Sequence, residues 1–177
     1  MKRRALLPRL LLRGSPEVHR GTLRGLPLDS EVEVLRDRWG IPHILAGSER
    51  DLAVAQGFVH AQDRLWQMES LRRLCSGTLS EVVGEAALQL DVFTRLAGFP
   101  EIWRRALQAA GTAQAELAAA YASGVNAFLD HAGDRLPLEL RSMGFRPAPW
   151  TAEDVYAFVP YLIWNQQNNF VEEVLAL

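Results

Sequence analysis

Two groups of side chains have the types and spacing to do chemistry. In the first, Glu69 stands three residues before Arg72 and four before Arg73, the separations at which side chains meet on one helix face. At 100° per residue, Gln62, Glu69 and Arg72 fall in the same stripe as Val54, Phe58, Ala61, Leu65 and Met68, so charge is placed where burial is expected. A buried charge is costly unless paired. The group therefore reads as a structural ion pair, under neighbouring helices or against a partner surface, or as the much rarer catalytic carboxylate. In the second group, Val155, Val159 and Leu162 continue along one helix face into Gln166, Asn169 and Glu173. Amides and a carboxylate pointing one way suit a hydrogen-bonded interface, a ligand wall or a calcium site, because calcium accepts both kinds of oxygen. A helix end that emerges into solvent has the same pattern.

The usual machinery of hydrolysis is missing. There is no Gly-x-Ser-x-Gly elbow, no His-Glu-x-x-His, no P-loop and no Gly-x-Gly-x-x-Gly. Ser48, Ser80 and Ser123 fall at helix starts or inside helices, and His19, His43, His60 and His131 lack metal-ligand spacing. His43, between Pro42 and Ile44, is expected to pack and to hydrogen-bond the backbone of its own turn. Cys75, the only cysteine, excludes an intrachain disulfide and a cysteine zinc cluster, and its place on an amphipathic helix suits an inert, half-buried thiol. No catalytic residue is assigned to this chain.

The elements that must position these groups are mostly α with a short N-terminal β hairpin. The alternating segment Glu31–Arg36, the turn residues Asp37–Gly40 and the run Pro42–Ala46 predict the hairpin. Ser48 then caps a helix to about Ser76, ended by Gly77, and Thr78 caps a short turn to Gly84. A helix over about Glu85–Ala97 stops at Gly98; the next starts at Pro100 and ends near Gly111. Thr112 caps Ala113–His131, whose core stripe is Leu117, Ala120, Tyr121, Gly124 and Phe128. After a Pro- and Gly-rich loop, Thr151-Ala-Glu-Asp154 opens a last helix running toward Leu177, kinked where Pro160 removes the bond to the carbonyl of Tyr156.

With 177 residues, 49% of them hydrophobic and 23% charged, the chain can bury a core and is neither disordered nor collagen-like. A net charge of −2 gives no field to attract nucleic acid. No run approaches the ~20 apolar residues that span a bilayer. Residues 1–21 read as a basic arm: Lys2, Arg3 and Arg4 precede a leucine-rich run broken by Pro8, Arg9 and Arg13, so no secretory leader is recognised and cytoplasmic residence is the expectation.

The run Arg36-Asp-Arg-Trp-Gly40-Ile-Pro42-His43-Ile44, then Asp51-Leu52 and the long irregular stretch Gly57–Glu69, resembles the opening of the alpha subunits of the penicillin amidase family. Arg72-Arg73, Gly77–Glu81 and Gly84 extend the likeness, as do Tyr121–Ala127, Pro137, Gly144-Phe145, Pro149-Trp150-Thr151 and Asp154, so that it covers roughly residues 22–177, one region. Members of that family, among them penicillin, cephalosporin and acyl-homoserine-lactone acylases, are N-terminal nucleophile hydrolases. A precursor cleaves itself, and the new N-terminal serine of a larger beta chain attacks a substrate amide with its own α-amino group as base. An acyl-enzyme then forms and is hydrolysed.

The resemblance implies that this chain is the alpha portion of an αββα fold completed by that larger chain, and that it ends before the serine. It implies a self-processing amidase acting on a small N-acyl amide. Placed against the family pattern, Ile163, Gln166 and Gln167 lie near positions that shape the acyl pocket. Glu173, with Glu172 as the competing ligand, contributes to a calcium ion otherwise held by the larger chain. The sequence departs from the family at Asn165–Asn168, where glycine or an aromatic residue is frequent, so no acyl preference carries over. A different class of function stays open beside this one: a helical interaction module, or a truncated product, descended from such a subunit and without catalysis.

Overall fold

In a computed structural model of the protein, residues 21–166 are described. Strands β1 (Glu33–Arg36) and β2 (Pro42–Leu45) pair antiparallel, Val34 opposite Ile44 and Arg36 opposite Pro42. The turn between them is built by Asp37, whose Oδ1 accepts the backbone N–H groups of Trp39 (2.8 Å) and Ile41 (2.9 Å). Helix α1 (Glu49–Ser76) starts where Ser48 Oγ accepts the Asp51 N–H and ends at Gly77, left-handed at φ 63°, as the sequence predicts. The sequence did not announce the break at Arg64, whose φ of −142° leaves the helical range and re-aims the second half of the helix.

Beyond Gly77 come a short helix α2 (Ser80–Val83), a 3-10 turn Glu85–Ala87, α3 (Leu88–Leu96) and α4 (Phe99–Ala109). Thr78 does not cap α2; the cap is supplied from a distance by Asp91, which accepts the N–H groups of Leu79 (2.9 Å) and Ser80 (2.8 Å). Nor does Thr112 cap the long helix α5 (Thr112–Ala132): it is the first helical residue, after Gly111. A small helix α6 (Leu138–Ser142) precedes α7 (Ala152–Tyr156), opened by the capping box of Thr151 and Asp154. The expected single last helix is divided at Ala157, and α8 (Phe158–Gln166) follows. Pro160 thus lies in the first turn of a new helix, where its missing N–H leaves no helical bond unmade.

Helices α1 and α5 form the central pair, and two glycines set their separation. A Cβ on Gly57 would stand 2.1 Å from the carbonyl oxygen of Tyr121, and one on Gly124 would stand 1.9 Å from that of Val54. The helices therefore touch backbone to backbone, flanked by buried Ala61, Ala118 and Ala122. Around this contact Phe58 and Phe128 meet edge to face, 5.5 Å between centroids, and Leu65, Val125, Leu140 and Trp150 complete the core. The predicted stripe of α1 holds: Val54, Phe58, Ala61 and Leu65 are buried and Met68 is partly buried. Asn126 fastens the incoming loop to α5, donating to the Trp150 carbonyl (2.8 Å) and accepting its N–H (2.7 Å).

Candidate functional site

The charged group of α1 is structural. Glu69 is fully buried, with one carboxylate oxygen 2.7 Å from the Arg72 guanidinium and the other accepting from Arg73 Nε at 2.9 Å. Burial pushes its carboxyl above the ordinary value, against the pull of both guanidiniums. Arg72 goes on to the carbonyl of Ala148 (3.2 Å), to Asp154 (3.5 Å) and over the ring of Trp150. Arg73 reaches Glu81 (2.9 Å) and lies over Phe145. One buried carboxylate thereby ties α1 to the Phe145–Asp154 segment and to α2. Gln62 belongs to a different contact. Its Oε1 accepts from Arg36 (2.7 Å), which also grips both oxygens of Asp63 (2.7 and 3.0 Å) and the Gly40 carbonyl (2.9 Å), clamping the hairpin to α1.

Other candidates are inert or exposed. His43 does not pack against its own turn's backbone; its side chain is exposed, with Nε2 3.7 Å from the Asp37 carboxylate. Cys75 is fully rather than half buried, and burial pushes its thiol up to about 12. The hydroxyls of Ser70, Ser76, Ser123 and Ser142 all donate to carbonyls of their own helices. Sequence reasoning missed two buried carboxylates, Asp51 and Asp91. Asp51 Oδ1 and Oδ2 accept the N–H groups of Asp29 (2.8 Å) and Ser30 (3.1 Å), anchoring the approach to the hairpin. The available signal was an aspartate within reach of a tight turn. Among the described residues no group of three or more His, Cys, Asp or Glu is placed to hold a metal ion, and no helix is long and apolar enough to cross a membrane.

Of the open cavities, one is mainly apolar. An open groove of about 670 Å³ runs between α1, α5 and α7–α8, lined by Leu52, Leu117, Tyr121, Val155 and Val159 among others. At its edge the Tyr121 hydroxyl lies 2.9 Å from His60 Nδ1. Burial pushes the tyrosine up to about 12 and the histidine down from its ordinary value, favouring the neutral form of both partners in this hydrogen bond. This wall offers shape and one hydrogen-bonding pair, not acid–base power. On α8, Trp164 packs against Phe93 and Phe99, at 5.3 and 6.1 Å between centroids. Along the face of the last helix singled out in the sequence, Val155 is partly buried while Val159, Leu162 and Gln166 are exposed, and Ile163 is exposed beside them. Gln167, Asn169 and Glu173 lie outside the described residues.

A family model described as penicillin amidase matches residues 31–177. Penicillin acylase 2 proenzyme of Pseudomonas sp. (strain SE83) is 45% identical over 130 residues, covering 73% of this chain and 17% of that protein. An acyl-homoserine lactone acylase of Pseudomonas aeruginosa is 37% identical over 150 residues, covering 85% of this chain and 18% of the relative. Penicillin G acylase of Escherichia coli is 35% identical over 149 residues, covering 82% of this chain and again 18% of the relative. The chain thus spans less than a fifth of the length of these relatives. Among solved structures, a chain of a thermostable penicillin G acylase from Alcaligenes faecalis matches with a TM-score of 0.69 and 33% identity, over 82% of this chain and 78% of that one.

Proposed function

The chain belongs to the penicillin amidase family, whose members named above are acylases, and from that premise we propose that it is the small subunit of a two-chain amide hydrolase. Its nucleophile comes from a larger chain that starts with serine. The observation that carries the reading is the structural match: 82% of the chain follows one chain of a solved acylase, at a TM-score of 0.69 and 33% identity. In this reading the larger chain's serine hydroxyl attacks the amide carbonyl, its α-amino group takes the proton, the amine leaves, and water releases the acid. The small chain's contribution is scaffold and wall.

The wall is the exposed flank of α8 beside the apolar groove. Ile163 and Gln166 face outward there, and together with Gln167 they would border the acyl group of a small N-acyl amide. Carboxylate and amide side chains are apt ligands for calcium, and Glu173 would be this chain's contribution to such an ion, the rest coming from the larger chain. The exposed Val159, Leu162 and Ile163 support the pairing, because apolar faces of this kind are normally covered by a partner. Intact-mass analysis of the protein purified from its native source tests the proposal. A co-purifying larger chain with N-terminal serine is the expected result; a monodisperse, amidase-inactive chain with no such companion overturns it.

A further inference from the structure

Helix α3 is inside out. Its residues facing the protein are Asp91 and Thr94, 3% and 2% exposed, with Ala87 just before the helix. Its opposite face carries Leu88, Val92 and Leu96 at i, i+4 and i+8, and Leu96 is 83% exposed. A helix folded for water would turn this apolar stripe inward. It cannot turn here, because its polar face is engaged. Asp91 takes both N–H groups at the start of α2 and the Ser80 hydroxyl, and Arg95 Nε donates to the Gly77 carbonyl at 2.8 Å. The stripe is joined to the proposed pocket wall through Phe93, whose ring packs at a tilt against Trp164 of α8, 5.3 Å between centroids.

We infer that the outward face of α3 is a docking ridge for the larger chain, held in place by the Asp91 lock and extending the subunit interface well beyond the substrate wall. The occupant follows from chain length: the acylase relatives carry more than four fifths of their length beyond the part that matches here, ample to cover an apolar ridge bordered by Arg95. The inference rests on the two-chain reading.

Single Leu96→Cys and Val92→Cys variants in the assembled two-chain protein test it, with N-ethylmaleimide as the probe and the mass of this chain as the readout. Native Cys75 is buried, so its background is low. We expect each new thiol to be labelled about tenfold or more slowly than the same thiol in urea, since reactivity requires access. Smaller protection at both sites overturns the inference. Protection that persists in a homodimer lacking the larger chain also overturns it, by making a second copy the occupant. Failure of the two-chain reading shows separately, as wild-type protein with no larger chain.

Discussion

Gly124→Ala reverses the usual effect of this substitution. In an exposed helix the change gains about 1 kcal/mol from helix propensity. Here the new methyl would lie 1.9 Å from the Val54 carbonyl oxygen, 2.8 Å from its carbon and 3.0 Å from the Phe58 nitrogen. All three are backbone atoms of α1, so no side chain can swing away, and relief requires α1 and α5 to part by more than ~1 Å at their crossing. A gap of 0.5–1 Å already forfeits about a quarter to a half of each dispersion contact along the seam. Overpacking of this kind costs about 1–3 kcal/mol, and an unyielding backbone places it near the top of that range. Net of propensity the loss is about 2 kcal/mol, or ~4–8 °C in melting temperature for a domain of this size. Far-UV circular dichroism melts of the purified protein measure it. Gly47→Ala is the control, since a Cβ there meets nothing within 4 Å. A Gly124→Ala protein melting at or above wild type would refute the backbone-to-backbone crossing.

Three further outcomes follow from the charged groups and the thiol. Glu69→Ala leaves two guanidiniums beside an empty buried site and should cost about 3–5 kcal/mol in denaturant unfolding; a loss under about 1 kcal/mol would mean the arginines find other acceptors or water. Asp51 is held below its ordinary value chiefly by the Asp29 N–H, and in Asp91 the desolvation that raises the carboxyl is outweighed by donors from Ser80 and Leu79. Both folded values lie below the model-peptide value of 3.8. Their stabilisation is therefore present above that pH and lost as pH falls below it through the folded values. An Asp51→Asn, Asp91→Asn protein should show a shallower acid-induced loss of stability, and an unchanged slope in an acid titration would place the sensitivity elsewhere. Iodoacetamide at pH 8 should leave Cys75 unmodified in the folded protein and alkylate it in urea, read by mass; rapid modification of the native protein would contradict its burial.

Local chemistry made much of the fold legible. Ser48, Gly77 and the Thr151–Asp154 box mark helix ends through bonds made within a few residues, and Asp37–Gly40 marks its turn in the same way. Glu69 with Arg72 and Arg73 was readable because helical spacing alone brings them together. The caps assigned to Thr78 and Thr112 failed for a complementary reason. A capping residue type is common, whereas the acceptor that serves α2, Asp91, comes from more than ten residues along the chain.

By itself, then, the sequence determined the hairpin, the main helices up to Ala132, the buried stripe of α1 and the likeness to penicillin amidases, all of which depend on short-range periodicity or on runs of residue types; it read the loop that holds α6 as irregular and the divided last helix as one. Only the tertiary structure decided that Gly57 and Gly124 bring two backbones into contact, that Arg36 clamps the hairpin to Gln62 and Asp63, and that α3 and α8 turn apolar faces outward. Periodicity locates an apolar face but cannot say which way it points. That direction is set by the polar groups engaged on the opposite side, and for α3 those partners lie on elements that only folding brings near.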